Sequence, residues 1–180
     1  MAPRSARIAP SRGPAVRGFA AVAGRVTGTQ PPAVFLTLGR NPRLFWSWLL
    51  FAGSMMPGGR LPRRDTELVI LRVATLAGSD YELTQHRRLG RRAGLTAEEV
   101  DRVALGPAAA GWSDSDRLLL DVTDELHTDE DLSDSSWEKL RAALDERSCL
   151  ELVMLVGHYR MLATALTTLR VVPDQPRGGR

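Results

Sequence analysis

The chain has 180 residues, of which 43% are hydrophobic and 25% are charged, a composition that suits one globular domain with a hydrophobic core. Its single cysteine, Cys149, excludes an intrachain disulfide and a Cys-x-x-Cys redox or zinc motif. The longest apolar run, residues 44–56, is interrupted by Ser47 and Ser54 and is too short to cross a bilayer. Residues 1–30 lack the continuous apolar segment of a secretory signal peptide. The composition therefore predicts a cytoplasmic protein with no membrane partner.

Charge is distributed unevenly along the chain, although the net charge is only +3. Residues 1–64 contain ten arginines and no acidic residue, so the remaining 14 of the 24 basic residues and all 21 acidic residues fall in residues 65–180. Such a basic segment can attract nucleic acid or an anionic membrane. Its arginines are dispersed among proline, glycine and alanine, without interleaved aromatic residues. We therefore expect the segment to pack on the acidic body or on a neighbouring subunit, with no nucleic-acid partner.

The sequence divides into an arm, a body and a tail. Residues 1–30 are rich in proline, glycine and arginine, and we predict an irregular basic arm. Residues 31–172 carry the helical patterns and are predicted to form a single helical domain. Residues 173–180 are predicted to form a flexible tail.

The body reads as a succession of helices. The first is predicted over residues 42–56, with a proline in its first turn and Pro-Gly-Gly after its end. The second, over residues 61–78, is apolar nearly all round and is therefore expected at the centre of the core. Further helices are predicted for residues 81–93, 96–105, 113–126, 134–144 and 148–171, the second of these opened by a capping box. No segment of useful length alternates with a period of two, so the predicted fold class is all-α.

Two acidic residues and a histidine occupy positions where the helical period places apolar side chains. Glu67 shares a helix face with Ile70 and Leu71, while Glu82 and His86 lie one turn apart on a face of the next helix. A buried carboxylate or imidazole costs free energy unless it is paired or used. The spacing predicts an acid–base couple in which Glu82 orients His86 and Glu67 faces them from the preceding helix. The alternative is a buried ion pair whose members bind only each other and have no catalytic role.

A second candidate group lies in the last predicted helix. His158 follows Gly157, which allows close approach of another helix or a ligand, and shares a face with Leu162. A histidine on an apolar stripe is more often a core residue than a binding residue. Trp48 belongs to an aromatic group that can line a pocket or fill the core. We predict His158, Tyr159 and Trp48 as substrate-binding residues.

Metal and cofactor motifs are missing from the sequence. The acidic residues around His127 do not have the spacing of a known metal-binding loop, so no metal is predicted. There is no G-x-G-x-x-G, no P-loop and no G-x-S-x-G, which removes support for nucleotide cofactors and for serine hydrolysis. We expect a site that uses no cofactor.

Three strings in the body resemble a known family. They are DTELVILRVA at residues 65–74, YELTQH at residues 81–86 and AGLTAEE at residues 93–99. Together they resemble the carboxymuconolactone decarboxylase family, which includes the alkylhydroperoxidase D-like proteins, and the resemblance extends over about residues 33–172. It implies a compact all-helical domain that assembles as a homotrimer or hexamer, with its site between helices and near subunit contacts.

The resemblance also separates two branches of chemistry. In the peroxidase branch, a glutamate precedes a Cys-x-x-Cys and then a histidine, and these positions fall on Glu67 and His86 of this chain. The two cysteine positions fall on Ser79 and Glu82, and an intervening histidine position falls on Tyr81. Without these thiols no sulfenic acid or disulfide can form, which argues against an alkylhydroperoxidase-type antioxidant activity.

What the resemblance implies instead is a cofactor-independent acid–base enzyme of the decarboxylase, lyase or isomerase type. Its substrate is expected to be a small carboxylated or lactone-like organic molecule. His86 is expected to donate or shuttle a proton, Glu67 to act as its partner, Glu82 to tune it and Tyr81 to bind a developing enolate. A catalytically inert oligomeric scaffold or small-molecule binder on the same fold is the alternative, and an open cavity at His86 would separate the two.

Overall fold

The protein is built from helices, as the sequence predicts. The structure, a computed structural model, describes residues 5–178, and no strand forms in that range beyond an isolated bridge between Thr29 and Pro176. The elements are α1 (Pro14–Thr27), α2 (Ala33–Leu38), α3 (Pro42–Met55), α4 (Arg63–Leu76), α5 (Asp80–Arg92), α6 (Ala97–Arg102), a 3₁₀ turn (Val103–Leu105), α7 (Asp114–Thr128), α8 (Asp134–Ala143) and α9 (Glu146–Leu169).

Helix α4 is the centre of the core. Its residues from Thr66 to Ala74 are all buried, and it packs against α5, α7 and α9. An apolar helix needs neighbours on every side to remove its surface from water. The position of α4 therefore follows from its composition, and it places Glu67 inside the protein.

The helix boundaries are set by local capping. Asn41, Ser113, Ser133 and Asp145 each accept a hydrogen bond from a backbone N–H in the first turn of the helix that follows. The capping box predicted at Thr96 forms with both of its hydrogen bonds. These local signals explain why the predicted helix ends lie within a few residues of the observed ones.

The irregular arm predicted for residues 1–30 is wrong between Pro14 and Thr27, where α1 forms. Pro14 occupies the first turn, where its missing N–H costs nothing. Val16 and Ala20 bury their side chains, and Phe19 makes edge-to-face contacts with aromatic rings of α2 and α3. Tertiary packing thus compensates for the weak helix propensity of a segment rich in glycine. Residues 1–4 lie outside the described part of the chain.

The flexible tail predicted for residues 173–180 is corrected as well. The backbone of Gln175 accepts a hydrogen bond from Gln30, and the backbone N–H of Arg177 donates to Gly28. Asp174 is bound to three groups of the body, described below. The segment that follows α9 is therefore joined to the connection between α1 and α2; residues 179–180 lie outside the described range.

Helix α9 is long and apolar enough, by length and composition alone, to cross a bilayer. A central helix of a water-soluble core has the same composition. Half of its most apolar window is buried inside the protein, where it packs against α3, α4, α5, α7 and α8. Its contacts are those of a core helix.

Candidate active site

A cavity of about 560 Å³ lies between α3, α5 and α9, closed at one side by α1 and the C-terminal segment. Six of the seven predicted site residues line it; they are Trp48, Tyr81, Glu82, His86, His158 and Tyr159. The seventh, Glu67, lies behind His86 with no exposed surface. Most of the other lining side chains are aliphatic or aromatic. The group predicted from the sequence thus shares an accessible cavity instead of filling a sealed core.

His86 is held by Glu67 across the α4–α5 pair. The His86 Nδ1 atom lies 2.7 Å from Glu67 Oε2, and Arg63 Nη2 lies 2.5 Å from Glu67 Oε1, at ion-pair distance but without the angles of a hydrogen bond. A carboxylate that pairs with arginine only accepts hydrogen bonds, so Nδ1 carries the proton and donates it to Glu67. The Nε2 atom, which makes no hydrogen bond with residues 5–178, is left with its lone pair on the cavity side.

The prediction that Glu82 orients His86 is therefore wrong, because that role belongs to Glu67. Glu82 is one turn before His86, but its two carboxyl oxygens are buried without a hydrogen-bond partner in the described residues. Burial raises the pKa of Glu82 to about 7, while the nearby His86 and the Ser79 hydroxyl act in the opposite direction. The Ser79 oxygen itself makes no well-formed hydrogen bond. A carboxyl group that titrates near neutral pH and faces a cavity suits proton transfer.

This raised pKa predicts a pH-dependent stability. The folded protein holds a proton on Glu82 between pH 4.5 and about 7, where the unfolded chain has lost it, so stability falls as pH rises through this window. The full difference corresponds to about 3 kcal/mol. We expect Glu82→Gln to remove this loss, so that the variant gains stability over the wild type from pH 5 to pH 8 in urea titrations. Parallel pH curves for the two proteins would contradict the assignment.

His158 and Trp48 form one wall of the cavity. Their rings are stacked with centroids 6.1 Å apart, and the Phe51 ring contacts His158 edge-on. Burial lowers the pKa of His158 to about 4, so this imidazole is neutral at physiological pH. Tyr159 is edge-on to both His86 and His158. These positions agree with the predicted binding role, and the aromatic wall favours a flat, apolar ligand.

Tyr81 is engaged elsewhere. Its hydroxyl donates a hydrogen bond of 2.7 Å to Asp174 and accepts one of 3.3 Å from the backbone N–H of Val34. Burial and the Asp174 carboxylate both raise the pKa of Tyr81. Since its proton is already donated to Asp174, Tyr81 does not have the free donor that the predicted contact with an enolate requires. In this structure it anchors the C-terminal segment to α5.

Sequence reasoning missed two residues of this region. Asp174 accepts hydrogen bonds from Tyr81, from the Gln85 side chain and from the backbone of Ala33, and it lines the cavity. Nothing in the short C-terminal sequence around Asp174 predicts hydrogen-bond partners so far away in the chain. Arg63 could have been found, because it precedes Glu67 by one helical turn and such pairs meet on a helix surface.

No thiol group reaches the cavity. Cys149, the one cysteine of the sequence, is fully buried on α9 beside the backbone of Leu140 and Leu144, and it does not line the cavity. Across residues 5–178, no cluster of three histidine, cysteine or acidic side chains could hold a metal ion. The titratable groups that line the cavity are carboxyl, imidazole, phenol and guanidinium groups.

Comparisons with known proteins agree on fold and family. A model of the carboxymuconolactone decarboxylase family matches residues 42–125, while no curated protein matches the sequence. An uncharacterized peroxidase-related protein from Ralstonia eutropha JMP134, described as an alkylhydroperoxidase AhpD core, superposes with a TM-score of 0.83 at 17% identity over 93% of this chain and 92% of that one. A peroxidase-related protein from Silicibacter sp. TM1040 gives 0.84 at 14% identity over 99% and 97%.

A third similar structure contains a ligand. It is a cysteine-to-alanine variant of the debrominase Bmp8 in complex with 2,3,4-tribromopyrrole, with a TM-score of 0.78 at 13% identity over 93% of this chain and 91% of that one. At such identities these likenesses show the fold alone. The matched segment contains α3 to α5, which carry Trp48, Glu67, Glu82 and His86. The resemblance read from the sequence is thereby confirmed: residues 42–125 match the model of the carboxymuconolactone decarboxylase family, and the chain has an alkylhydroperoxidase AhpD-like fold.

Proposed function

We propose that the protein is a cofactor-independent acid–base enzyme that acts on a small organic molecule, by a decarboxylase, lyase or isomerase type of reaction. The observation that carries this proposal is the Glu67–His86 couple, with Nδ1 and Oε2 2.7 Å apart, at the wall of a cavity of about 560 Å³. A buried pair with no catalytic role needs no opening to a cavity. The family match and the debrominase on the same fold support an enzymatic role.

The chemistry of the couple is proton transfer. His86 accepts a proton at Nε2 from a carbon or hydroxyl of the substrate, and the charge that forms on the imidazole is stabilised by Glu67. Arg63 holds the far oxygen of Glu67 in place. His86 can return the proton to another atom of the same substrate, which suits isomerisation or the protonation step that follows loss of carbon dioxide.

Two other activities have weaker support. Peroxide reduction through a thiol has no cysteine at the cavity, where Ser79 and Glu82 occupy the positions that resemble the redox pair. A non-catalytic small-molecule binder would use the same cavity, and it is distinguished only by the absence of turnover. The tribromopyrrole complex supports the idea that this fold can hold an apolar ring.

We expect the protein to work as a homotrimer or hexamer, as the family resemblance implies, and in the cytoplasm, as the composition predicts. Supporting this, α3 and α9 present exposed apolar side chains at Leu50, Leu150 and Met161. Exposed apolar side chains on neighbouring elements are typical of contacts between subunits. Sedimentation of the purified protein tests the association.

The direct test measures proton transfer at carbon. A panel of small lactones, carboxylated lactones and cyclic ketones is followed by NMR in deuterated buffer for exchange next to the carbonyl, and for release of carbon dioxide. We expect wild-type turnover of one compound class, and a fall of about 100-fold or more in His86→Gln. His127→Gln, a histidine on α7 that does not line the cavity, is the matched control and should keep full activity. No turnover across the panel, or unchanged turnover in His86→Gln, would contradict the proposal.

A further inference from the structure

Three side chains that line the cavity, Trp48, Glu82 and His158, have buried polar atoms without a hydrogen-bond partner among the described residues, and Glu82 is the one acidic residue of the three. The residue is 2% exposed, it lines the cavity, and neither of its oxygens has a hydrogen-bond partner among the described residues. Buried polar groups in native proteins are nearly always bonded, because an unpaired group keeps the full cost of leaving water. A leucine at this position would avoid that cost. The natural partner of this carboxyl group is therefore a molecule that enters the cavity.

We propose that Glu82 is the anchoring group for an uncharged ligand, namely a mostly apolar ring compound whose carbonyl or hydroxyl oxygen hydrogen-bonds to this carboxyl group. The inference rests on the proposed function in that it names the substrate class of the same cavity. It differs from the charged, carboxylated substrate that the family resemblance suggests, and it therefore narrows the proposed reaction to the lyase or isomerase type, because a decarboxylase acts on a carboxylate.

The charges around the cavity argue against an anionic ligand. Among the described residues that line it, Arg63 is the one arginine or lysine, and its guanidinium is paired with Glu67. His158 on α9 is neutral at pH 7 because burial lowers its pKa to about 4. At the opposite side, Asp174 adds an acidic group. A carboxylate entering here would meet no lysine or arginine except Arg63, whose charge is already balanced by Glu67, so the cavity favours an uncharged ligand over an anionic one.

The rest of the wall favours a ring. The Trp48 and His158 rings are stacked, and the Phe35 ring lies 6.0 Å from Trp48. Leu155 and Leu162 of α9 add aliphatic surface. A largely apolar cavity with a few polar groups selects ligands by shape and by a small number of hydrogen bonds.

The protonation state of Glu82 determines which oxygen it can bind. The groups that act on it or respond to its charge are His86 and Tyr81 on its own helix, the Ser79 hydroxyl at the start of that helix, and Tyr159 on α9. Because burial outweighs the effect of His86, its pKa lies at about 7. Below pH 7 the carboxyl group donates to a carbonyl oxygen, whereas above pH 7 it has no proton to donate. Affinity for a carbonyl compound should therefore fall with rising pH.

Three probes with one carbon skeleton separate the possibilities: tetralin without an oxygen, 1-tetralone with a carbonyl group, and tetralin-1-carboxylate with a charge. Their dissociation constants are measured by isothermal titration calorimetry, without reference to turnover, at pH 6 and pH 8. We expect 1-tetralone to bind at pH 6 about tenfold more tightly than either other compound. Its affinity should fall about tenfold at pH 8, following the loss of the Glu82 proton.

Two variants assign the effect to Glu82. In Glu82→Gln the amide still donates a hydrogen bond, so 1-tetralone should bind equally well at both pH values. The Glu82→Leu variant should bind 1-tetralone with the same affinity as it binds tetralin. Tightest binding by the carboxylate, no binding of any probe, or a pH dependence that survives in Glu82→Gln would overturn the inference. If the binding pattern holds but no compound is turned over, the ligand class stands and the enzymatic proposal fails.

Discussion

Glu67→Gln is expected to abolish most of the activity while leaving the protein folded. Turnover should fall by about 10²–10⁴-fold, the range that general acid–base catalysis contributes. The amide is almost the same size as the carboxylate, but it has no charge to stabilise a protonated His86. Its NH₂ group can also donate to Nδ1, which moves the imidazole proton to Nε2 and removes the base from the cavity. The rate is measured with the best compound of the panel, and folding by urea titration.

Two further variants complete this test. Glu138→Gln makes the same change at an exposed position of α8 and should be without effect on rate or stability. Glu67→Ala removes the acceptor altogether, so the buried Nδ1–H loses its hydrogen bond, and we expect a loss of stability of about 2–3 kcal/mol. A Glu67→Gln protein that turns over as fast as the wild type would show that the couple is only structural.

Arg72→Met is expected to destabilise the protein without affecting ligand binding. The Arg72 guanidinium forms two hydrogen bonds with Asp124 of α7, at 2.5 Å and 2.7 Å, and a third with the carbonyl oxygen of Val103. Removing one partner of such a pair leaves the other charge without compensation, which costs about 3 kcal/mol when the pair is largely buried. The loss is measured by thermal or urea unfolding.

The double variant Arg72→Met/Asp124→Leu isolates the interaction. Since replacing both partners by apolar groups removes the unpaired charge, it should regain most of the lost stability. Affinity for 1-tetralone should equal that of the wild type in both variants, because neither Arg72 nor Asp124 lines the cavity. Weakened binding in Arg72→Met with the fold intact would instead place Arg72 in the ligand site.

Local signals were sufficient to predict α4 and α5 and the residues they carry. The apolar run from residue 68 to residue 71 requires a central helix, and a glutamate on its inner face must be paired inside the protein. Arg72 follows Glu67 by five residues, a spacing that places it on another face of the helix, and the structure pairs it with Asp124 on α7. Such predictions succeed because the helical period alone decides which side chains share a face.

The partner of His86 required the tertiary structure. Spacing along α5 favoured Glu82, which lies one turn away, whereas the structure selects Glu67 from the neighbouring helix at 2.7 Å. Periodicity places both carboxylates near the imidazole, but only the packing of α4 on α5 sets the distances and leaves Glu82 without a partner. The raised pKa of Glu82 follows from this burial.

By itself, the sequence determined the all-α fold class, the central position of α4, the family resemblance and the absence of thiols at the redox positions. These properties depend on composition, on spacing within one helix and on residue identity. Only the tertiary structure decided that α1 is a helix and that Asp174 binds Tyr81 and Gln85. It also decided that an open cavity reaches His86. Each of these properties depends on contacts between segments that are far apart in the chain. The free energy of such contacts cannot be predicted from a local sequence pattern.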